Sequence, residues 1–261
     1  MRTLIAALAL VFGLSSMTRN AAAEWTRGEF QSNGKPIEEF HCVPSGAGPF
    51  PAVVFLHGSG PREMGVSSFK SYCDKLAEHG YYTEFIEYYS QTGAVSPLEV
   101  KKMATDFPTW LDEIEDGIDA LKKNKSVDSK HLGLMGISLG SFLSLAYGAT
   151  FPDQIDAIVE YYGGLPPTSA GGAAMMPPTL ILHGDADKIV PVSQAKDLDA
   201  LLTKFDRPHE IHIYPGANHG FNFEGAAMWY DRAAADDAWD HTLKFFDTYL
   251  KNNSAVSAHA N

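Results

Sequence analysis

Cysteine is scarce: Cys42 and Cys73 are the only two in 261 residues, too few for a disulfide framework or a cysteine-based zinc motif. Basic clusters are missing too, and 20 Lys and Arg against 32 Asp and Glu leave a net charge of −12. Such a surface repels nucleic acid and anionic lipid, so neither is expected as a partner. The apolar run at 4–14 covers 11 residues, well short of the ~20 that a membrane-spanning helix requires. No repeat, low-complexity tract or linker divides the chain.

That short run is flanked by Arg2 on one side and by Ala21-Ala22-Ala23 on the other. This is the three-part layout of a secretory signal peptide cleaved after Ala23. Removing residues 1–23, which carry Arg2, Arg19 and no acid, leaves 238 residues with a charge of −14. The expected product is one secreted or periplasmic domain over 24–261 with no membrane span. Cys73 shares a helical face with Phe69, Leu76 and Ala77, the setting of an ordinary buried thiol. Export would also permit a bridge to Cys42, the alternative reading.

Strands and helices alternate through this domain. Residues 29–32 and 37–43 read as a hairpin around Asn33-Gly34. The continuous apolar run 52–56 suits a strand buried on both faces, which implies helices above and below the sheet. A helix over 69–78, a strand over 81–88 and a helix striped by Phe107, Trp110, Leu111, Ile114, Ile118 and Leu121 follow. Asp106 is read as the cap of that helix, with Pro108 in its first turn. Further strands are expected at 132–137, 155–161, 179–182 and 210–214, and helices from 139, over 192–202 and over 235–250. The pattern predicts an α/β class, with a mostly parallel sheet, an antiparallel N-terminal hairpin and helices on both faces.

Chemistry concentrates at the ends of those strands. Gly136-Ile137-Ser138-Leu139-Gly140 joins a strand to a helix, the context in which Gly-x-Ser-x-Gly marks a nucleophile elbow. A serine hydroxyl needs a base and an acid to orient that base, and the order serine, acid, histidine is that of an α/β-hydrolase. His219 follows the strand at 210–214 and Asp187 follows the one at 179–182, so the expected triad is Ser138, His219 and Asp187. Asp185 is the rival acid, but it sits nearer the strand end, where it more easily serves the turn. The oxyanion donors are assigned to the N–H groups of Leu139 and of Ser59, in the loop His57-Gly58-Ser59-Gly60, with Gly58 and Gly60 as neighbours. Each signal alone is also a packing pattern, and their order along the chain is what joins them.

Metal binding is not expected. His209 and His212 lie three apart on a strand and face opposite sides, and no carboxylate or cysteine spacing completes a set with His57 or His183. No cofactor is expected either.

The elbow, Tyr161-Tyr162-Gly163-Gly164, the run from Gly184 to Pro191 and Asn218-His219-Gly220-Phe221 together resemble the dienelactone hydrolase family of the α/β-hydrolase superfamily, over roughly residues 35–250. The resemblance implies a hydrolase acting on a small-molecule ester. Two departures stand out. The family proper carries a cysteine at the elbow, where this chain has Ser138, and a glutamate after the third strand, at the place His57 holds here. Both point to serine esterase chemistry rather than to dienelactone as substrate. The family's catabolic members are also largely cytoplasmic, whereas this chain reads as exported. A small peptidase or amidase of the same fold, and a non-catalytic binding protein with a hydrolase shell, are the alternatives. Loops 61–67, 90–105 and 165–176 are expected to cover the pocket; Tyr88, Tyr89, Met175, Met176 and Phe221 are candidates for an apolar wall, although aromatic and methionine residues more often pack in the core or in loops.

Overall fold

The computed structural model describes residues 24–251, so the signal-peptide reading of 1–23 lies outside the described residues. A single sheet of eight strands runs through it, in the order β1-β2-β4-β3-β5-β6-β7-β8. β1 (Glu24–Ser32) and β2 (Lys35–Val43) form an antiparallel hairpin, and β2 pairs antiparallel with β4 (Tyr82–Ile86). β3 (Phe50–Leu56), β5 (Val127–Ile137), β6 (Ala157–Tyr161), β7 (Thr179–Gly184) and β8 (His209–Tyr214) join β4 in a parallel array.

Burial follows from that arrangement. Ala52 to Leu56 and every residue of β6 and β7 are buried, because apolar cores lie on both faces of the sheet. One core packs α2 (Val100–Leu121), α3 (Leu139–Thr150) and α4 (Ser193–Lys204) on the sheet. The other packs α1 (Arg62–Glu78) and α5 (Arg232–Phe246), the latter extended by a π-helical turn, Asp247–Lys251.

Three local expectations are corrected. Cys42 and Cys73 are bonded to each other across a Cα separation of 5.6 Å, so Cys73 is not a free buried thiol. Cys42 on β2 and Cys73 on α1 face the same core, a proximity that only the tertiary arrangement creates. α2 begins at Val100, so Asp106 is an interior residue paired with Lys102, and Pro108 lies inside the helix on its exposed side. α1 likewise begins at Arg62, directly after Pro61, rather than at residue 69.

Candidate active site

β5 ends at Ile137 and α3 starts at Leu139, which leaves Ser138 alone to make the turn between them. Its backbone is held at φ 53° and ψ −115°, a conformation that costs a non-glycine residue about 1–3 kcal/mol. The Ser138 N–H donates to the Tyr161 carbonyl at 3.0 Å, which anchors the turn to β6. The flanking glycines are required by close approach. A Cβ on Gly136 would lie 2.5 Å from the Gly140 carbonyl oxygen, and one on Gly140 would lie 2.0 Å from that of Leu56.

The turn presents the hydroxyl to a histidine. Ser138 Oγ and His219 Nε2 are 2.9 Å apart, and His219 Nδ1–H donates to Asp187 Oδ2 at 2.8 Å. Asp187 Oδ1 accepts from the Ile189 and Val190 N–H groups at 2.8 and 2.9 Å. Burial alone would raise the Asp187 carboxyl, but hydrogen bonds from His183 and His219, the His219 charge and the Val190 N–H outweigh it, holding Asp187 well below the usual carboxylate range. Asp185 is exposed, and its Oδ1 accepts the Gly216 N–H at 2.6 Å, so it ties the β7 loop to the β8 loop instead. The structure thus brings Ser138, His219 and Asp187 together and leaves Asp185 outside.

The loop after β3 lies against the elbow, with Gly58 and Ser59 lining the same cleft as Ser138. The Gly60 N–H is committed to the Val95 carbonyl at 2.8 Å. His57 is buried, its ring stacked on Tyr88 with centroids 4.1 Å apart, and its Nδ1–H donates to the Gly58 carbonyl at 2.7 Å. His57 Nε2 faces Glu87 Oε1 at 3.5 Å, so the imidazole is turned away from Ser138.

Two buried groups behind the acid escape sequence reasoning. His183 Nε2–H donates to the Val190 carbonyl at 2.9 Å and stands 3.4 Å from Asp187 Oδ2. Burial pulls the His183 imidazole down, but Asp187 and Glu160 more than offset this and raise it. Glu160 accepts the Gly163 N–H at 2.8 Å, and burial pushes its carboxyl up to about 7. Both sit near the ends of buried strands, His183 immediately before Gly184-Asp185 and Glu160 immediately before the tyrosine pair.

A cleft of about 290 Å³ opens over Ser138, walled by Met64, Pro97, Ile137, Tyr162, Ile189, Phe223, Ala226 and Trp229. None of the five candidate wall side chains lines it. Tyr88, Tyr89, Met176 and Phe221 are buried in the cores, and Met175 is 58% exposed. The expected covering segments contribute Met64, Gly65 and Pro97, but 165–176 contributes nothing; residues 223–229 take its place. Tyr162 packs against His219, its ring 4.6 Å from the imidazole, and its hydroxyl donates to Asn222 Oδ1 at 2.6 Å.

Comparison with known proteins places this geometry. Residues 37–250 match the model of the dienelactone hydrolase family. The chain belongs to that family. It is 28% identical to Protein usf of Aquifex pyrophilus over 227 residues, which cover 85% of this chain and 97% of that one. A carboxymethylenebutenolidase homologue of Aquifex aeolicus is 27% identical over 228 residues, covering 85% and 98%. The crystal structure of a dienelactone hydrolase homologue from Klebsiella pneumoniae superposes with a TM-score of 0.74 at 25% identity, covering 87% of this chain and all of that one. This family of hydrolases acts on small molecules, and the α/β-hydrolase fold expected from the sequence is the fold observed.

Proposed function

We propose that this dienelactone hydrolase family member is an exported serine esterase that cleaves neutral carboxylic esters through an acyl-enzyme on Ser138. The observation that carries the reading is the unbroken hydrogen-bonded chain from Ser138 Oγ through His219 to Asp187. In the first step the Ser138 oxygen attacks the ester carbonyl while its proton passes to His219 Nε2. Asp187, held as a carboxylate, fixes the tautomer and stabilises the imidazolium. Collapse of the tetrahedral intermediate returns that proton to the departing alcohol. Water then repeats the sequence on the acyl-enzyme and frees the acid.

The developing oxyanion needs two donors. The Leu139 N–H is one, at the start of α3. The other is the Ser59 N–H: with the Gly58 carbonyl bound to His57 Nδ1, the planar Gly58–Ser59 peptide turns that N–H to the opposite side.

Substrate charge follows from the cleft lining. No lysine or arginine stands among the residues that line it, so an anionic substrate would have to shed its hydration with no compensating charge. A neutral aryl or alkyl ester of modest size fits an apolar cleft of about 290 Å³. Export draws support from the three-part N-terminal layout and from the Cys42–Cys73 bond, a feature of oxidising compartments.

The test is hydrolysis of p-nitrophenyl butyrate by the parent chain and by Ser138→Ala. A loss of at least about 1000-fold in kcat is expected from removing a nucleophile, and full retention would refute the assignment. Covalent labelling by a fluorophosphonate, absent in Ser138→Ala, separates an enzyme from a binding protein with the same shell.

A further inference from the structure

The last strand and the last helix assemble a second constellation away from the cleft. Glu210 and His212 are two apart on β8 and so share a face, and that face packs on α5. There the His212 ring meets that of His241, with centroids 3.6 Å apart and planes inclined by 31°. Ligand atoms of Glu210, His212 and His241 all lie within 4.8 Å of one another. His212 Nε2 is buried with no hydrogen-bond partner, and the Glu210 carboxylate stands 3.8 Å away. Beside the other ring, Asp237 Oδ2 is 3.6 Å from His241 Nε2 and accepts the Tyr214 hydroxyl at 3.0 Å.

We propose that Glu210, His212 and His241 bind one divalent transition-metal cation of the zinc class. Two imidazoles and one carboxylate are a borderline-soft donor set of the kind zinc prefers. Asp237, steadied by Tyr214, supplies the outer carboxylate that commonly orients a ligating imidazole. A cation shared by the three side chains accounts for the buried His212 nitrogen that has no hydrogen-bond partner.

Placement gives the cation a structural consequence. β8 and α5 bracket residues 215–231, the segment that carries His219 and the cleft residues Phe223, Ala226 and Trp229. A cation joining His212 to His241 therefore ties together the strand and the helix that bracket the loop carrying His219. The proposal concerns binding and stands whether or not Ser138 is the nucleophile.

Equilibrium dialysis of the full chain against Zn²⁺ followed by elemental analysis tests it. One zinc per chain is expected, with affinity at least about 10-fold weaker in His212→Gln and in His241→Gln. Zinc at about 100 times its dissociation constant should raise the parent Tm by roughly 5 °C and leave the double variant unmoved. If a histidine variant fails to fold, Glu210→Gln keeps both rings and should still weaken binding several-fold. Absence of stoichiometric zinc in the parent, or undiminished binding in the double variant, would overturn the proposal.

Discussion

Asp185 and Asp187 stand two residues apart in one loop, yet only Asp187 reaches His219, while Asp185 receives the Gly216 N–H. Replacing them separates catalysis from loop support. Asp187→Asn should cut kcat by about 10⁴-fold through loss of the correct tautomer. Asp185→Ala should leave kcat within a few-fold and cost about 1–2 kcal/mol of stability, read from urea unfolding. The reverse pattern would transfer the acid's role to Asp185. The histidine and the two aspartates were legible in the sequence because each follows an apolar strand, where open α/β sheets gather their sites. His183 and Glu160 were not, because a histidine or glutamate at the end of a buried strand carries no mark of which carboxylate it will face. The cleft wall stayed open between pocket and core for a related reason. Tyr88 and Phe221 have the composition of a pocket wall, but their directions are set by packing that no local pattern encodes.

At the scale of elements, the strand order of the site was readable while the starts of helices were not. α1 and α2 each extend seven residues before their apolar stripes begin, over mixed turns that periodicity does not register. The elbow is the most constrained junction. Gly140→Ala would drive a methyl against the Leu56 and His57 carbonyl oxygens, so a loss of at least about 2 kcal/mol is expected, with activity falling as the His57–Gly60 loop is displaced. The Cys42–Cys73 bond ties β2 to α1 across a sequence separation of 31 residues. Its reduction should cost about 3–4 kcal/mol in thermal or denaturant unfolding, and an unchanged midpoint would show that α1 is held by packing alone. Within α2, burial raises the Glu113 carboxyl from the usual 4.5 to about 8. The folded chain there keeps a proton that the unfolded chain releases, so stability should fall as pH rises from 4.5 towards 8 and level off above. Glu113→Gln should make that decline shallower in Tm measured against pH, and an identical slope would contradict it.

For the molecule as a whole, the sheet carries one apolar, cation-free cleft over Ser138 and an acidic exterior with net charge −12. Both disfavour an anionic substrate, the first by desolvation and the second by repulsion. Neutral p-nitrophenyl esters should therefore be hydrolysed with a kcat/KM at least about 10-fold above carboxylate-bearing analogues of equal size, and the reverse preference would show that cationic groups outside this lining hold the substrate. Fold and family were legible because an ordered set of strand-end motifs survives in the sequence; substrate shape was not, because six stretches distant along the chain build the cleft. The most direct test of the account is rapid mixing with p-nitrophenyl butyrate followed by mass spectrometry of the quenched protein. A burst of one p-nitrophenolate per chain is predicted, with the butyryl mass on the peptide containing Ser138 and absent from Ser138→Ala. Turnover without any acyl adduct, or an adduct on another residue, would contradict it.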